Sequence, residues 1–245
     1  MAKLFCGLLL IFVLFQVLGQ ALHSDRGQAG LAIGLAVLAA TFLYEHLAFG
    51  VPLFATPLTV GLSKPSGRGI TASVAVSIVL LLAFPIYSWL SNDRVRLDSE
   101  WLRYVPGLFA QAGIAEESLF RGYLFGHLRR TRSFWRAAMV STGPFAAVHL
   151  ILFFSMPPIV AAAAICLAVL MTFPLAYLYE LGGKTIWAAA VLHFVVQGAI
   201  KVVATDSGSM ILPVVWMAAC AIFPYAVFFI KVKDGGEQLT SEAAA

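Results

Sequence analysis

The stretch YVPGLFAQAGIAEESLFRGYLFGH, residues 104–127, decides the fold of this chain. It has the length of a membrane-spanning helix, and apolar residues flank Glu116, Glu117 and Arg121 on both sides. Ionisable groups deep in a bilayer are costly, so they normally face the interior of a helix bundle and serve a function. The stretch therefore predicts a membrane-embedded helix bundle built around a polar site.

The composition of the whole chain agrees with this interpretation. Of the 245 residues, 61% are hydrophobic and only 11% are charged, against about 45–50% and about 25% in a soluble domain. So few charges cannot cover a water-facing surface, which excludes a soluble enzyme, a disordered chain and a fibrous protein. The net charge of +4 is attributed to basic loops, because no nucleic-acid-binding module fits between the spans.

Apolar segments of spanning length recur along the chain and predict an all-α, polytopic transmembrane bundle of about eight spans with a polar intramembrane cavity. We expect one integral membrane domain over residues 1–233, with a motif-bearing core at 104–203, and a polar tail at 234–245. The first segment is alternatively a cleaved signal peptide, because Lys3 precedes it and Gly19-Gln20-Ala21 has the pattern of a cleavage site. The segments are 4–22, 29–49, 70–90, 104–127, 137–154, 157–180, 185–203 and 210–230.

The distribution of Lys and Arg predicts the orientation of the bundle. With the N-terminus in the cytoplasm, ten Lys and Arg residues fall on the inner side and five on the outer side, with the cluster RRTRSFWR at 129–136 inside. The positive-inside rule then places both termini in the cytoplasm. We expect a bacterial cytoplasmic membrane, because no endoplasmic-reticulum retention or transit signal is recognisable.

The charged residues of the fourth segment divide into a pair and a single carboxylate. Glu117 and Arg121 are four residues apart, so on a helix they share a face and can form an ion pair that lowers the cost of burying both. Glu116 lies about 140° from Arg121 around the helix and lacks that partner. A carboxylate without a cation in a poorly solvated site suits a general base. The alternative is a polar clamp between helices.

Two histidines lie in other predicted spans, His149 in the fifth and His193 in the seventh. At about 1.5 Å per residue from the helix ends, they and Glu116 lie about 12–18 Å below the same membrane face. This matched depth favours a single catalytic cluster. A competing site, Glu45-His46, lies close enough to the interface for snorkelling or for a contact with loop arginines. The remaining candidates are interpreted as structural or uninformative: Glu180, His127 and His23.

The order of these residues resembles the CAAX protease and bacteriocin-processing family, also called the Abi family. Its members include the Ras-converting prenyl-protein endoproteases. The resemblance rests on three motifs in three successive regions of the chain. They are Glu116-Glu117-x-x-x-Arg121, then Phe145-x-x-x-His149, then His193-x-x-x-Gln197.

The resemblance implies an intramembrane endopeptidase with a glutamate-based mechanism and no cofactor. By family position, Glu116 with His149 would activate the attacking water. His193 with the amide of Gln197 would stabilise the tetrahedral oxyanion. Gln197 stands where the family usually has Asn or Asp, and it keeps the amide donor on a side chain that is one methylene longer. Supporting roles would fall to Glu117, Arg121 and Phe145.

Three other functions stay open on the sequence. A zinc-dependent metalloprotease would use Glu116, His149 and His193 as ligands. A non-catalytic bacteriocin-immunity or scaffold protein would bind peptides or lipidated partners, and a proton-coupled transporter would use the cluster as a relay. For the protease, the expected partners are membrane lipid and a peptide or lipidated protein substrate, and not nucleic acid.

Overall fold

The computed structural model of the chain describes residues 1–22 and 26–232, and helices account for most of them. This confirms the all-α polytopic bundle. The predicted polar tail at 234–245 and His23 lie outside the described residues.

The described elements are mostly helices, with two short strands at one end of the bundle. The strands β1 (Val95–Leu97) and β2 (Val203–Thr205) form an antiparallel ribbon with Arg96 opposite Ala204. Short 3₁₀ turns occur at Leu53–Ala55, Leu150–Phe154, Ala199–Lys201 and Phe223–Phe229. The helices are α1 (Ala2–Ala21), α2 (Arg26–Phe49), α3 (Thr56–Thr59), α4 (Gly67–Leu81), α5 (Ala83–Ser91), α6 (Trp101–Leu108), α7 (Gly126–Arg129), α8 (Phe134–His149), α9 (Pro158–Leu181), α10 (Trp187–Gly198) and α11 (Ile211–Ile222).

All eight predicted segments are helical, and among the described residues six helices are long and apolar enough to cross a membrane. Of the other two, the seventh is the shorter apolar helix Trp187–Lys201, and the fourth is the one with Glu116, Glu117 and Arg121. These two segments carry most of the candidate site residues. The seventh is apolar but too short for a full span, whereas the fourth carries three charged residues within it. The six are Ala2–Ala21, Gly27–Phe49, Gly67–Ser91, Phe134–Phe154, Pro158–Leu181 and Ile211–Phe229.

The fourth segment is one continuous helical run over 101–129, here called the site helix. Between α6 and α7 it contains two π-helical stretches, Phe109–Ala115 and Ser118–Phe125, which flank Glu116 and Glu117. π-helical turns are rare and occur frequently at functional sites. The site helix packs between α2 and α10, so its polar residues face the bundle interior and not lipid.

Close packing fixes the site helix to the Pro- and Gly-rich connection after α2. Gly122 of the site helix lies directly against the backbone carbonyl of Val60, and a Cβ at position 122 would overlap that oxygen. Only glycine permits this approach of two backbones. The contact fixes the connection after α2 against the part of the site helix that follows Arg121.

We therefore expect Gly122→Ala to destabilise the fold by about 1–3 kcal/mol, the usual cost of overpacking, or by more because the neighbour is backbone. Gly143→Ala in α8 is the matched control, since a Cβ there meets nothing within 4 Å. Alanine has the higher helix propensity, so the control should be neutral or slightly stabilising. Thermal unfolding in detergent measures both. Equal melting temperatures for the two variants would contradict the close contact at Gly122.

Candidate active site

A buried carboxylate joins the site helix to α10. Arg121 Nη1 donates to Glu117 Oε1 at 2.9 Å, and His193 Nδ1 lies 2.6 Å from the same oxygen. The Glu117 and Arg121 side chains are 0% and 2% exposed. The predicted ion pair is therefore present, and Glu117 also contacts a histidine that the sequence did not assign to it.

The contact with Glu117 determines the tautomer of His193. A carboxylate paired with Arg121 is ionised and can only accept hydrogen bonds, so Nδ1 of His193 carries the proton. The other ring nitrogen, Nε2, then faces Glu116, whose Oε2 is 3.8 Å away. The carboxylate thus orients the ring in the way that an acidic partner orients the histidine of a catalytic triad.

Phe145 packs among the charged and aromatic groups of the site. The guanidinium of Arg121 lies 4.4 Å from the centre of its ring, close enough for a cation–π interaction. The same ring contacts the rings of Phe120, His149 and His193 at centroid distances of 4.7, 4.9 and 6.3 Å. Phe145 therefore keeps water from the Glu117–Arg121 pair and connects α8 to the other two site-bearing helices.

His149 is held by its own helix. Its Nδ1 lies 2.7 Å from the backbone carbonyl of Phe145, and a carbonyl only accepts, so Nδ1 is the donor. In the neutral ring Nε2 is then the unprotonated nitrogen. His149, Glu116 and His193 line one cavity of about 470 Å³, together with Gln197. The structure thus brings together all four residues to which the resemblance gave catalytic roles.

Gln197 is oriented by a lysine one helical turn further on. Lys201 Nζ donates to Gln197 Oε1 at 3.0 Å, which identifies the amide oxygen and directs Nε2 towards the cavity. This Nε2 lies 3.3 Å from Glu116 Oε1 and 3.5 Å from His193 Nε2. The longer side chain therefore reaches both groups. Lys201 and Gln111 also line the cavity, and sequence reasoning missed both.

The competing acidic residues lie away from this cavity. Glu45 is fully buried and contacts His127 Nε2 at 2.7 Å, so the expected snorkelling or contact with loop arginines is wrong. Because His127 already gives Glu45 a hydrogen-bond partner inside the bundle, the carboxylate does not need to extend to water at the membrane surface. Glu180 contacts Arg129 Nε at 2.6 Å near a helix end, in agreement with a structural role. Neither residue belongs to the site.

Comparison with known proteins gives one match. Residues 98–199 match the family model of the type II CAAX prenyl endopeptidase Rce1-like proteins. The matched range begins just before the site helix and ends two residues after Gln197. No curated protein and no solved structure matches the chain.

We expect Glu117→Gln to lower the free energy of unfolding by roughly 3–5 kcal/mol, the cost of leaving a buried ion without its partner. Glutamine would leave Arg121 without a countercharge and would weaken the hydrogen bond from His193. Thermal unfolding in detergent measures the loss.

The matched control is Glu100→Gln, which removes the Arg103–Glu100 pair at 3.3 Å, where both side chains are about half exposed. Exposed pairs contribute about 0–1 kcal/mol, so this variant should unfold close to the unmodified protein. Similar losses in the two variants would contradict the structural importance given to Glu117.

Proposed function

We propose that this chain, whose residues 98–199 match the type II CAAX prenyl endopeptidase Rce1-like family, is an intramembrane endopeptidase of the glutamate type. The substrate is a membrane-associated protein or peptide, prenylated or bacteriocin-like. One observation supports this mechanism. A carboxylate without a cationic partner, two histidine Nε2 atoms and an oriented amide N–H all face one cavity within the membrane.

In this mechanism Glu116 is the general base. Its side chain is 11% exposed and borders the cavity, while the neighbouring Glu117 is already engaged by Arg121 and His193. Glu116 takes a proton from water as the water oxygen bonds to the scissile carbonyl carbon. It then returns that proton to the amide nitrogen as the C–N bond breaks. His149 Nε2 accepts a hydrogen bond from the same water and orients it.

His193 and Gln197 provide the donors for the tetrahedral oxyanion. With Nδ1 held by Glu117, the Nε2 of His193 points into the cavity, where a proton on it would be directed at the oxyanion, and Gln197 Nε2 lies 3.5 Å from it. Preorganised donors of this kind are most effective in a site from which water is excluded. Glu117, Arg121 and Phe145 act as positioning residues, since they hold His193 and His149.

A zinc mechanism with Glu116, His149 and His193 as ligands fits the site less well. Both histidines have the Nδ1 partner that metal-ligating rings typically have, which favours a metal. Against it, the amide N–H groups of Gln197 point into the space between Glu116 and His193, where a cation would bind. Across residues 1–22 and 26–232, no group of three or more His, Cys, Asp or Glu is arranged to hold a metal ion. We favour the metal-free mechanism.

Glu116→Gln tests the proposed activity. It preserves shape but removes the base, so cleavage should fall by about 10²–10⁴-fold while the protein stays folded. The assay uses protein in lipid vesicles with a panel of prenylated and apolar membrane peptides. Glu180→Gln is the control, because its carboxylate contacts Arg129 outside the cavity, and it should cleave normally.

The same assay separates the alternative functions. If Glu116→Gln cleaves as fast as the unmodified protein, Glu116 is not the base. Peptide binding without cleavage by the unmodified protein would instead identify a scaffold or an immunity factor. Proton-dependent uptake into the vesicles would identify a transporter.

Metal content separates the two protease mechanisms. We expect purified protein to contain substoichiometric zinc and to keep its activity after prolonged treatment with a strong chelator. Gln197→Glu, which replaces the amide donor by a carboxylate, should raise the zinc content measured by mass spectrometry. One zinc per unmodified chain, with activity lost on stripping and restored by zinc alone, would assign a metalloprotease.

A further inference from the structure

The ribbon of β1 and β2 is continuous with the wall of the active-site cavity. Ile200 and Lys201 line the cavity, and β2 begins shortly after them at Val203. From Gln197 to Val203 the chain advances at most about 13 Å, the length of about four residues of an extended peptide. β1 instead leads into the start of the site helix and packs against α5. β2 is therefore the strand that follows directly from the site.

The hydrogen bonds of the ribbon show which residues face the partner strand. Asp98 N donates to Val202 O at 2.9 Å, and Asp206 N donates to Arg94 O at 3.3 Å. These residues all have even numbers, and in an antiparallel pair only alternate residues exchange hydrogen bonds with the partner strand. The N–H and C=O groups of the odd-numbered residues therefore point away from the ribbon.

On β2 the odd-numbered residues are Val203 and Thr205, so this strand has an open edge. Across residues 1–22 and 26–232, no backbone group forms a hydrogen bond with the outward N–H and C=O of either residue. The side chain of Val203 packs against the bundle, and Ala204 on the other face of the ribbon is exposed. The β2 edge thus offers two donors and two acceptors.

Side chains hold the ribbon in place. Asp93, which precedes β1, accepts a hydrogen bond from the hydroxyl of Tyr87 and another from the backbone N–H of Ser207, both at 3.1 Å. Arg96 also pairs with Asp206 across the ribbon. Because the edge is already ordered, little conformational entropy is lost when a ligand binds to it.

A membrane substrate needs backbone partners of this kind. Its spanning segment is helical, because every backbone group in a bilayer has to be satisfied within the segment. The segment has to unwind locally before water can attack a carbonyl carbon. Unwinding frees N–H and C=O groups, and leaving them unpaired in an apolar environment is costly.

We propose that an extended segment of the substrate adds to the β2 edge as a third strand and so leads the scissile bond to Glu116. The proposal rests on the proposed function, which makes a peptide the ligand. Backbone hydrogen bonds to Val203 and Thr205 provide the affinity, as in other cases of strand addition. The paired substrate residues then lie about four to six positions from the scissile bond.

N-methylation of a peptide tests strand addition without altering the edge. The probe is the panel peptide that the Glu116→Gln protein binds most tightly, so the measurement does not require cleavage. Single N-methyl groups are placed on successive residues. At alternate positions the N–H faces β2, and its loss should lower the affinity about 3- to 10-fold, as expected for one hydrogen bond. Intervening positions should bind normally. A scan without this period of two, or no bound peptide, would overturn the proposal.

Proline substitutions test which edge is used. Thr205→Pro removes an outward N–H and leaves the bonds between β1 and β2 intact. Val95→Pro is the matched control, because Val95 lies directly opposite Thr205 and its N–H points out from the other edge. Thr205→Pro should weaken peptide binding about 3- to 10-fold and Val95→Pro should not. Equal losses would contradict use of the β2 edge. If Thr205→Pro does not fold, the N-methyl scan decides.

Cleavage by the unmodified protein separates this proposal from the proposed function. If the protein cleaves peptides and the N-methyl scan is flat, strand addition fails and the protease assignment stands. If the protein cleaves no peptide and the scan has a period of two, the protease assignment fails and strand addition stands.

Discussion

The structure depends on a single buried oxygen. Glu117 Oε1 accepts from Arg121 within the site helix and from His193 on α10. Burying a carboxylate or a guanidinium alone in a bilayer is costly. The cost of burying Glu117 and Arg121 is reduced only while the two side chains stay paired. The ion pair therefore lets the site helix remain at membrane depth, and the histidine fixes how α10 lies against it.

This constraint explains why the two segments that carry most of the site residues lie next to each other. The polar side chains of the site helix and of the short helix Trp187–Lys201 form hydrogen bonds with each other. Long apolar helices surround the two helices. The π-helical stretches lie on both sides of Glu116 and Glu117. Neighbouring residues of a helix point about 100° apart, so the two carboxylates face different surroundings, one the buried network and the other the cavity.

Local periodicity predicted the parts of the site that lie within one helix. The spacing of Glu117 and Arg121 indicated their pair, and the angular offset of Glu116 indicated a carboxylate without a cation. Contacts between distant segments could not be predicted in this way. Glu45 and His127 are 82 positions apart and their contact leaves no spacing signal. The partner of His193 was missed for the same reason, although the matched depth of the histidines indicated that the spans converge.

Gln197 shows how a departure from a family pattern can be compensated within the same helix. An extra methylene gives an amide more rotamers, so a longer side chain is a less defined hydrogen-bond donor. Lys201, one turn away, removes that freedom because its ammonium group can only donate and therefore selects the amide oxygen. The amide nitrogen is then directed towards Glu116 and His193. The orientation of glutamine in place of Asn or Asp thus depends on the lysine that follows it, and both residues line the cavity.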